Sequence, residues 1–426
     1  MPISNVPLWW LDLPKELGAA AMLPRCTDVL VVGSGYSGLS AALTLVRAGR
    51  TVAVVESDRA GFGASTRNAG FLGYELKPGL LGLAQRCGDQ TAARLASEAY
   101  AAYRYTFELI EREAIRCDLV RNGRMVVAHT QNRLDSLVAE LSARKSLLGT
   151  EFRQLPCDEI PDGNFKRTSI GACLVEEAAT LQPALYHYGL LALVKKLGGE
   201  IIENTRVTAV KPGARNGFEV ETSRGRVTAQ DVVVATNGYT GTEFPLLRRC
   251  VIPVGSYMIA TEKLPTTLVT EILPVGRSFL DTRRIMTYAR TTPDGHRIIF
   301  GGRPSPLEIS PDLAAQHFGR VLSSAFPALA GAKVAFSWSG LTSFTNDGLP
   351  HIGVIDGIHY AVGYQGSGIS LASYLGHKVA LRVLGSDEGE TPFADQAISP
   401  FPLHYLKAAV VPTIVTYYRT LDRLGH

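Results

Sequence analysis

Cysteine is scarce in this chain, and its six residues lie far apart. Cys26, Cys87, Cys117, Cys157, Cys173 and Cys250 form no CxxC pair and no cluster with histidine. That spacing argues against a structural zinc site and a disulfide framework, and it fits small buried thiols in a reducing cytoplasm. Long apolar runs are also missing. No stretch of ~20 residues goes uninterrupted, so no membrane span is expected. Residues 1–22 have no basic segment ahead of an apolar one, and Pro2, Pro7, Asp12, Pro14 and Glu16 break them up, unlike a signal peptide. Charge of one sign is nearly balanced out, at +4 over 426 residues, which gives no reason to expect a nucleic-acid partner. Internal repeats and low-complexity blocks are lacking too.

Glycine is plentiful, at 42 residues in a chain that is 46% hydrophobic, the profile of a glycine-rich globular enzyme long enough for two packed domains. Asp28–Val32 and Thr51–Val55 are short, valine-rich runs bounded by glycine or charge, and read as buried parallel strands. Between them Ser40–Ala48 reads as a helix stopped by Gly49. Residues 76–144 read as helical, with Asn132–Leu148 amphipathic. Strands are expected at 200–203, 206–210, 217–222 and 231–235, and 251–303 alternates like an antiparallel sheet. His359–Val362 reads as a strand and Ser370–Leu384 as a helix, while the apolar tail from Leu403 reads as a helix packed on the body.

Strand-type segments suited to nucleotide binding thus recur at both ends and in the middle. The simplest organisation is an α/β fold with α+β elements, in which a Rossmann-type domain (25–75, 165–245 and 332–390) is interleaved with a substrate domain (76–164 and 246–331) built on an antiparallel sheet flanked by helices. An N-terminal arm (1–24) and a C-terminal tail (391–426) complete it.

The motif that carries most chemistry is Gly33-Ser34-Gly35-Tyr36-Ser37-Gly38, placed between strand and helix. Its first glycine permits the turn, its second lets the backbone approach a pyrophosphate, and its third lets the helix pack on the sheet. The helix N-terminus then offers free N–H groups to the phosphates. Glu56, followed by Ser57 at the end of the second strand, is placed to accept ribose hydroxyls, which favours FAD or NAD over NADP. The run Gly63-Ala64-Ser65-Thr66-Arg67-Asn68-Ala69-Gly70-Phe71 offers small and polar backbone to a flat ring, and Arg67 can support negative charge.

With these residues the chain resembles the glycine/D-amino-acid oxidase family of flavoproteins, most closely its γ-glutamylputrescine oxidase-like branch. Four further stretches carry the resemblance. They are Thr180-Leu-Gln-Pro183 with Tyr186 and the strand at Val207, Ala235-Thr236-Asn237-Gly238-Tyr239, Pro253–Tyr257, and Asp347–Gly353 followed by Gly363-Tyr364-Gln365-Gly366-Ser367-Gly368-Ile369. The last turn faces the flavin pyrimidine edge in that family, where a helix starting near Gly368 would meet the negative charge of reduction.

The resemblance implies non-covalent FAD. Asn68 stands where some relatives carry a linking histidine, and Gly340 near where sarcosine oxidases carry a linking cysteine. It implies oxidation of a small secondary or conjugated amine, or an amino acid, by hydride transfer to flavin N5. The imine formed is hydrolysed to a carbonyl compound and an amine, with O2 as acceptor. Ile299 stands near the place of an oxygen-activating lysine, so a dehydrogenase using another acceptor stays open, as does a flavin-binding subunit of a hetero-oligomeric dehydrogenase. A nicotinamide enzyme would need a second strand series that the sequence lacks. Tyr257, Tyr288, Trp338 and Tyr364 are candidate substrate contacts, since aromatic faces suit an amine, though each fits a plain core as well. Arg284, Arg290 and Arg303 are candidate clamps for a substrate anion. His351 is expected to be structural.

Overall fold

Valine runs free of charge need cover on both faces, and here two layers of helix and strand provide it. The computed structural model describes residues 2–14, 21–160, 169–214, 217–273, 276–402 and 404–424. Glu16, Leu403 and the expected boundary between 164 and 165 lie outside them. The strands Cys26–Val32 and Val52–Val55 run parallel, with Val29–Val32 and Val52–Val55 buried. In the sheet containing them the order is His351–Ile355, Ile358–Val362, Gly225–Val234, Cys26–Val32, Val52–Val55 and Glu200–Ile202. Phe218–Thr222 and Val207–Pro212 extend from Gly225–Val234 as an antiparallel ribbon.

Two helices cross on one face of this sheet. Tyr36–Arg47 begins at Tyr36, ahead of the expected Ser40, because the second half of the glycine motif already belongs to its first turn. It stops before Gly49, whose φ of 79° is cheap only for glycine. Gly368–Val383 packs against it so closely that a Cβ on Gly376 would lie 2.2 Å from the Ser37 carbonyl oxygen. The N-termini of both helices therefore sit at the same edge of the sheet, beside the strand ends at Val32 and Val362.

The second sheet runs Val334–Phe344, Ile252–Thr261, Ile298–Gly302, Thr287–Thr291, Ser278–Asp281, Arg124–Ala128, Gly171–Val175 and Phe152–Leu155. All its pairings are antiparallel except that of Ser278–Asp281 with Arg124–Ala128. The helix Pro311–Ala325, capped by Ser310 and started by Pro311, buries Ala314, Phe318 and Leu322 against it.

Three segments differ from the sequence reading. The helical zone 76–144 does contain Gly79–Cys87, Asp89–Arg112 and the start of Gln131–Leu148, but Arg124–Ala128 within it is a strand. Five residues are too few for helical periodicity to show, and their pairing with Gly171–Val175 decides the conformation. Gly171–Val175 and Val334–Phe344, grouped by sequence with the nucleotide-binding segments, run in the second sheet instead. A strand's own pattern does not name its partner. The tail forms the helix Lys407–Leu424, held by Asp422, which accepts the N–H groups of Arg284 and Ile285 at 2.9 and 3.0 Å. Among the described residues no helix is long and apolar enough to cross a membrane.

Candidate cofactor and active site

The glycine turn is a cradle that side chains would fill. A Cβ on Gly38 would lie 1.9 Å from the Gly33 carbonyl oxygen, and Gly33 itself has a φ of 100°. Gly35, the N-cap, brings no capping side chain of its own, and the helix N-terminus behind it suits an anion. Glu56 reaches across from the next strand. One carboxylate oxygen accepts from the Ser34 N–H (3.0 Å) and hydroxyl (2.8 Å), the other from the Ser57 hydroxyl and the Asp58 N–H (both 3.2 Å). Beyond it, Thr205 donates its N–H to the Glu56 carbonyl at 2.6 Å, which brings the strand beginning at buried Val207 alongside.

The loop 63–71 meets the same turn, since the Ser65 hydroxyl accepts the Tyr36 N–H at 3.0 Å. Asn68 braces the loop from within: its amide donates to the carbonyls of Ala64 and Ser65 and accepts the Gly70 N–H. From outside, four successive carbonyls are held by buried donors. The Trp338 indole donates to Arg67 O (3.0 Å), Trp9 to Asn68 O (2.9 Å), and Arg290 to Ala69 O (3.0 Å) and Gly70 O (3.3 Å). Arg67 turns its own guanidinium to the carbonyls of Phe62 and Ser339. Burial lowers the Arg67 guanidinium below its ordinary value, against the pull of Tyr239 and Asp58.

The Ala235–Tyr239 turn and the late glycine turn close the other side. Ala235 donates to Val32 O (2.9 Å), and Thr236 shares a hydroxyl bond with Thr240. Asn237, at a φ of 47°, accepts from the Ser343 hydroxyl and from the Gly363 N–H (2.9 Å). Gly238 packs on Thr342 O, and the Tyr239 ring lies over Gly63. Gly363 has a φ of 85°, and a Cβ there would strike Thr345. Gln365 donates to Thr345 Oγ1 at 2.6 Å, and Ser367 to Glu75 O at 2.9 Å. Gly366 and Gly368 face open space, and the helix starting at Gly368, followed by buried Ile369, has no side-chain cap either.

Strand register sorts the four aromatic candidates. Met258 pairs with Trp338 and Gly301, and Tyr288 also pairs with Gly301, so these share the sheet face that carries Arg290 and meets the 63–71 loop. Tyr288 shares a hydroxyl bond with Ser256 (3.1 Å) and sets its ring edge-on to Phe71 at 5.7 Å. Burial raises its hydroxyl to about 12. Gly301 makes the room, since a Cβ there would lie 2.4 Å from the Tyr288 ring. Tyr257 is one residue out of phase. It points into the opposite core with Ile259, Phe300 and Phe318, and its hydroxyl accepts the Ile309 N–H. Tyr364 is buried elsewhere, bonded to Ser37 of the glycine-turn helix at 2.7 Å.

Of the arginines weighed as clamps, two hold backbone carbonyls and one lies at the surface. Arg290 is buried and bonded to the carbonyls of Ala69, Gly70, Leu181 and Thr291. Burial brings it down to about 9, still cationic at neutral pH. Arg303 donates to the carbonyls of Gly255 and Pro306, and exposed Arg284 lies over Tyr418. His351 binds Asp347 within the Asp347–Pro350 turn, a structural placement. Two residues at the site had no signal in the sequence reading. Trp9 comes from the arm, and buried His187 makes a 2.7 Å contact to Ser34 O. Gln182, quoted in a motif, pointed near the first, for it donates to Trp9 O at 2.9 Å.

A glycine cradle, two helix N-termini whose N-cap residues bring no capping side chain, and an acid at the second strand are the parts of a dinucleotide-binding protein. The comparisons with known proteins agree. Residues 28–382 match the DAO family, described as FAD dependent oxidoreductase, and the chain belongs to that family. It is 31% identical to gamma-glutamylputrescine oxidoreductase of Escherichia coli (strain K12) over 93% of both chains, and 25% identical to glycine oxidase of Bacillus licheniformis over 84% of this chain and 93% of that one. In fold it is similar to the crystal structure of glycine oxidase from Geobacillus kaustophilus, with a TM-score of 0.69 and 22% identity over 89% of this chain and 100% of the other. The residues present suit FAD: the cradle excludes side chains, Gly35 brings no capping side chain to the helix N-terminus, and Glu56 is a carboxylate acceptor.

Proposed function

We propose that this FAD-dependent oxidoreductase oxidises the C–N bond of a small secondary or conjugated amine. The observation that carries the reading is the commitment of Arg290 and Arg303 to backbone carbonyls and the placing of exposed Arg284 over Tyr418 of the C-terminal helix, beside a sheet face that offers aromatic rings and neutral hydroxyls. An amino-acid carboxylate would need a free cation there. An uncharged amine needs an aromatic wall and a hydroxyl, which Tyr288, Ser256 and Phe71 supply. The names of the relatives, a γ-glutamylputrescine oxidoreductase and glycine oxidases, support chemistry at an amine.

FAD, when bound, supplies the two-electron acceptor for the hydrogen on the carbon beside nitrogen. Glu56 and the open turn at Gly33–Gly38 hold its dinucleotide end, and the loop 63–71 and the Gly363–Gly368 turn flank its ring end. The first sheet with its helices serves as the cofactor domain and the second as the substrate domain. Tyr288, with its hydroxyl kept protonated by burial, orients the amine nitrogen by accepting or donating one hydrogen bond. Trp338 and Tyr364 support the site through the loop and the helix they hold, and Tyr257 through its core. FAD binds without a covalent link: Asn68 offers an amide that is already engaged, and Gly340 offers no side chain. O2 is the acceptor in this reading.

The test is the visible spectrum of the purified protein during anaerobic addition of amines and amino acids, then of air. Bleaching by a secondary or conjugated amine, with recolouring in air, is expected. Bleaching by amino acids alone would overturn the substrate class, and slow recolouring would make the enzyme a dehydrogenase. Acid precipitation should leave the yellow colour in the supernatant.

A further inference from the structure

We propose that Trp9, Trp338 and Arg290 are positioning residues that clamp the Arg67–Gly70 backbone, and that the N-terminal arm is thereby part of the cofactor site. The inference rests on FAD binding and is independent of which amine is oxidised. Its basis is the row of four consecutive carbonyls, at Arg67, Asn68, Ala69 and Gly70, each accepting an indole or guanidinium N–H, with the Leu181 N–H sharing Gly70 O at 2.9 Å. The donors come from three distant parts of the chain, an N-terminal 3-10 turn and two strands of the second sheet. Their exposures are 1% for Trp9, 0% for Trp338 and 3% for Arg290. Asn68 and Ala69 keep partial exposure, and the donors lie behind them. An ordinary loop satisfies its carbonyls with water or its own amides, so buried outside donors at four successive positions fix the path of the main chain.

The contact is tight as well as polar. Gly70 has a φ of 73°, and a Cβ there would lie 2.1 Å from Leu181 O and 2.5 Å from Arg290 Nη1. The arm is stitched in place to deliver its indole. Ser4 pairs with the backbone of Ala335 and Ser337 at 2.9 Å each, and Gln182 donates to Trp9 O and to Asp12 (3.1 Å). The Trp10 indole N–H, by contrast, meets no main-chain carbonyl: it donates to Thr66 Oγ1 at 2.7 Å, while Arg59 and Arg67 lie over its ring. Arg290 adds a fixed positive charge behind peptide groups that border the ring end of the cofactor, where charge becomes more negative on reduction.

The clamp is tested in Trp9→Phe, Trp10→Phe, Arg290→Met and Arg290→Lys. FAD affinity is read by fluorescence on reconstituting the deflavinated protein, and the reduced-to-oxidised ratio is read against a reference dye. Trp9→Phe keeps an aromatic ring but loses the donor and part of the indole's volume, a loss of volume that Trp10→Phe shares. It should weaken FAD at least tenfold with an unchanged circular dichroism spectrum, while Trp10→Phe changes affinity less than threefold. Arg290→Met should shift the dye equilibrium towards oxidised flavin by about tenfold, about 30 mV for two electrons, and Arg290→Lys should restore that ratio without restoring affinity. Should Arg290→Met fail to fold, the two tryptophan variants decide alone. Folded Trp9→Phe with FAD affinity within twofold of wild type, or an equal loss in both tryptophan variants, would overturn the clamp.

Discussion

Single atoms decide how the glycine turn works, and the first predictions lie there. A Cβ on Gly38 would sit 1.9 Å from the Gly33 carbonyl oxygen, and no rotamer moves a Cβ. Gly38→Ala must therefore push the helix off the turn, and should lower FAD affinity by at least ~100-fold, about 3 kcal/mol. Purification of the variant without yellow colour is the readout. Glu56→Gln is milder. The carboxylate accepts four hydrogen bonds with two oxygens, and an amide turns a donor towards either the Ser34 or the Asp58 N–H. A loss of about tenfold in FAD affinity, near 1.4 kcal/mol, is expected by fluorescence titration.

At the scale of the element, strand alternation separates two tyrosines that composition treats alike. Tyr288→Phe removes the hydroxyl facing the loop side and should lower kcat/KM for the amine about tenfold, leaving FAD affinity intact. Tyr257→Phe orphans the Ile309 N–H on the opposite face, which should cost about 1 kcal/mol of stability in a denaturant melt and leave kcat/KM within twofold. The same contrast shows what was legible in the sequence. Valine runs gave the parallel strands because burial on both faces requires them, and the Gly33–Gly38 turn was readable because its geometry admits only glycine. Sheet membership was not readable. Val334–Phe344 finds its partner Ile252–Thr261 across some eighty residues of chain, and no local pattern encodes that. The contacts of Trp9, Arg290 and His187 stayed hidden for a related reason. An indole, a guanidinium or an imidazole in the sequence does not say which distant carbonyl it meets, and only the packing of the arm and second sheet on the loop decides.

Across the whole molecule, the elements around the two glycine turns pack on two histidines, buried His187 and half-buried His377, and this makes the fold sensitive to acid. His377 lies on the helix Gly368–Val383, shares a 2.9 Å hydrogen bond with Thr44 of Tyr36–Arg47, and stacks on Tyr105 of Asp89–Arg112 at 4.9 Å. Burial first, then Lys378, Arg112 and Arg47, push it down to about 4. His187, under the glycine turn, is lowered by burial as well. In the unfolded chain these imidazoles titrate near ~6.5. Below that pH the unfolded state binds protons that the folded state refuses, so stability is whole above pH ~6.5 and drains away as pH falls towards about 4. His377 alone can account for up to about 3 kcal/mol of that loss. Because its helix and its neighbour start at the two glycine turns, flavin release should follow the same pH window. His377→Gln cannot take up the proton. Its melting temperature should begin below wild type at pH 7, since the stacking and fit are imperfect, yet fall less steeply between pH 6.5 and 4.5. Parallel melting curves for the two proteins across that range would mean that His377 does not carry the acid response, and His187→Gln would then be the variant expected to flatten it.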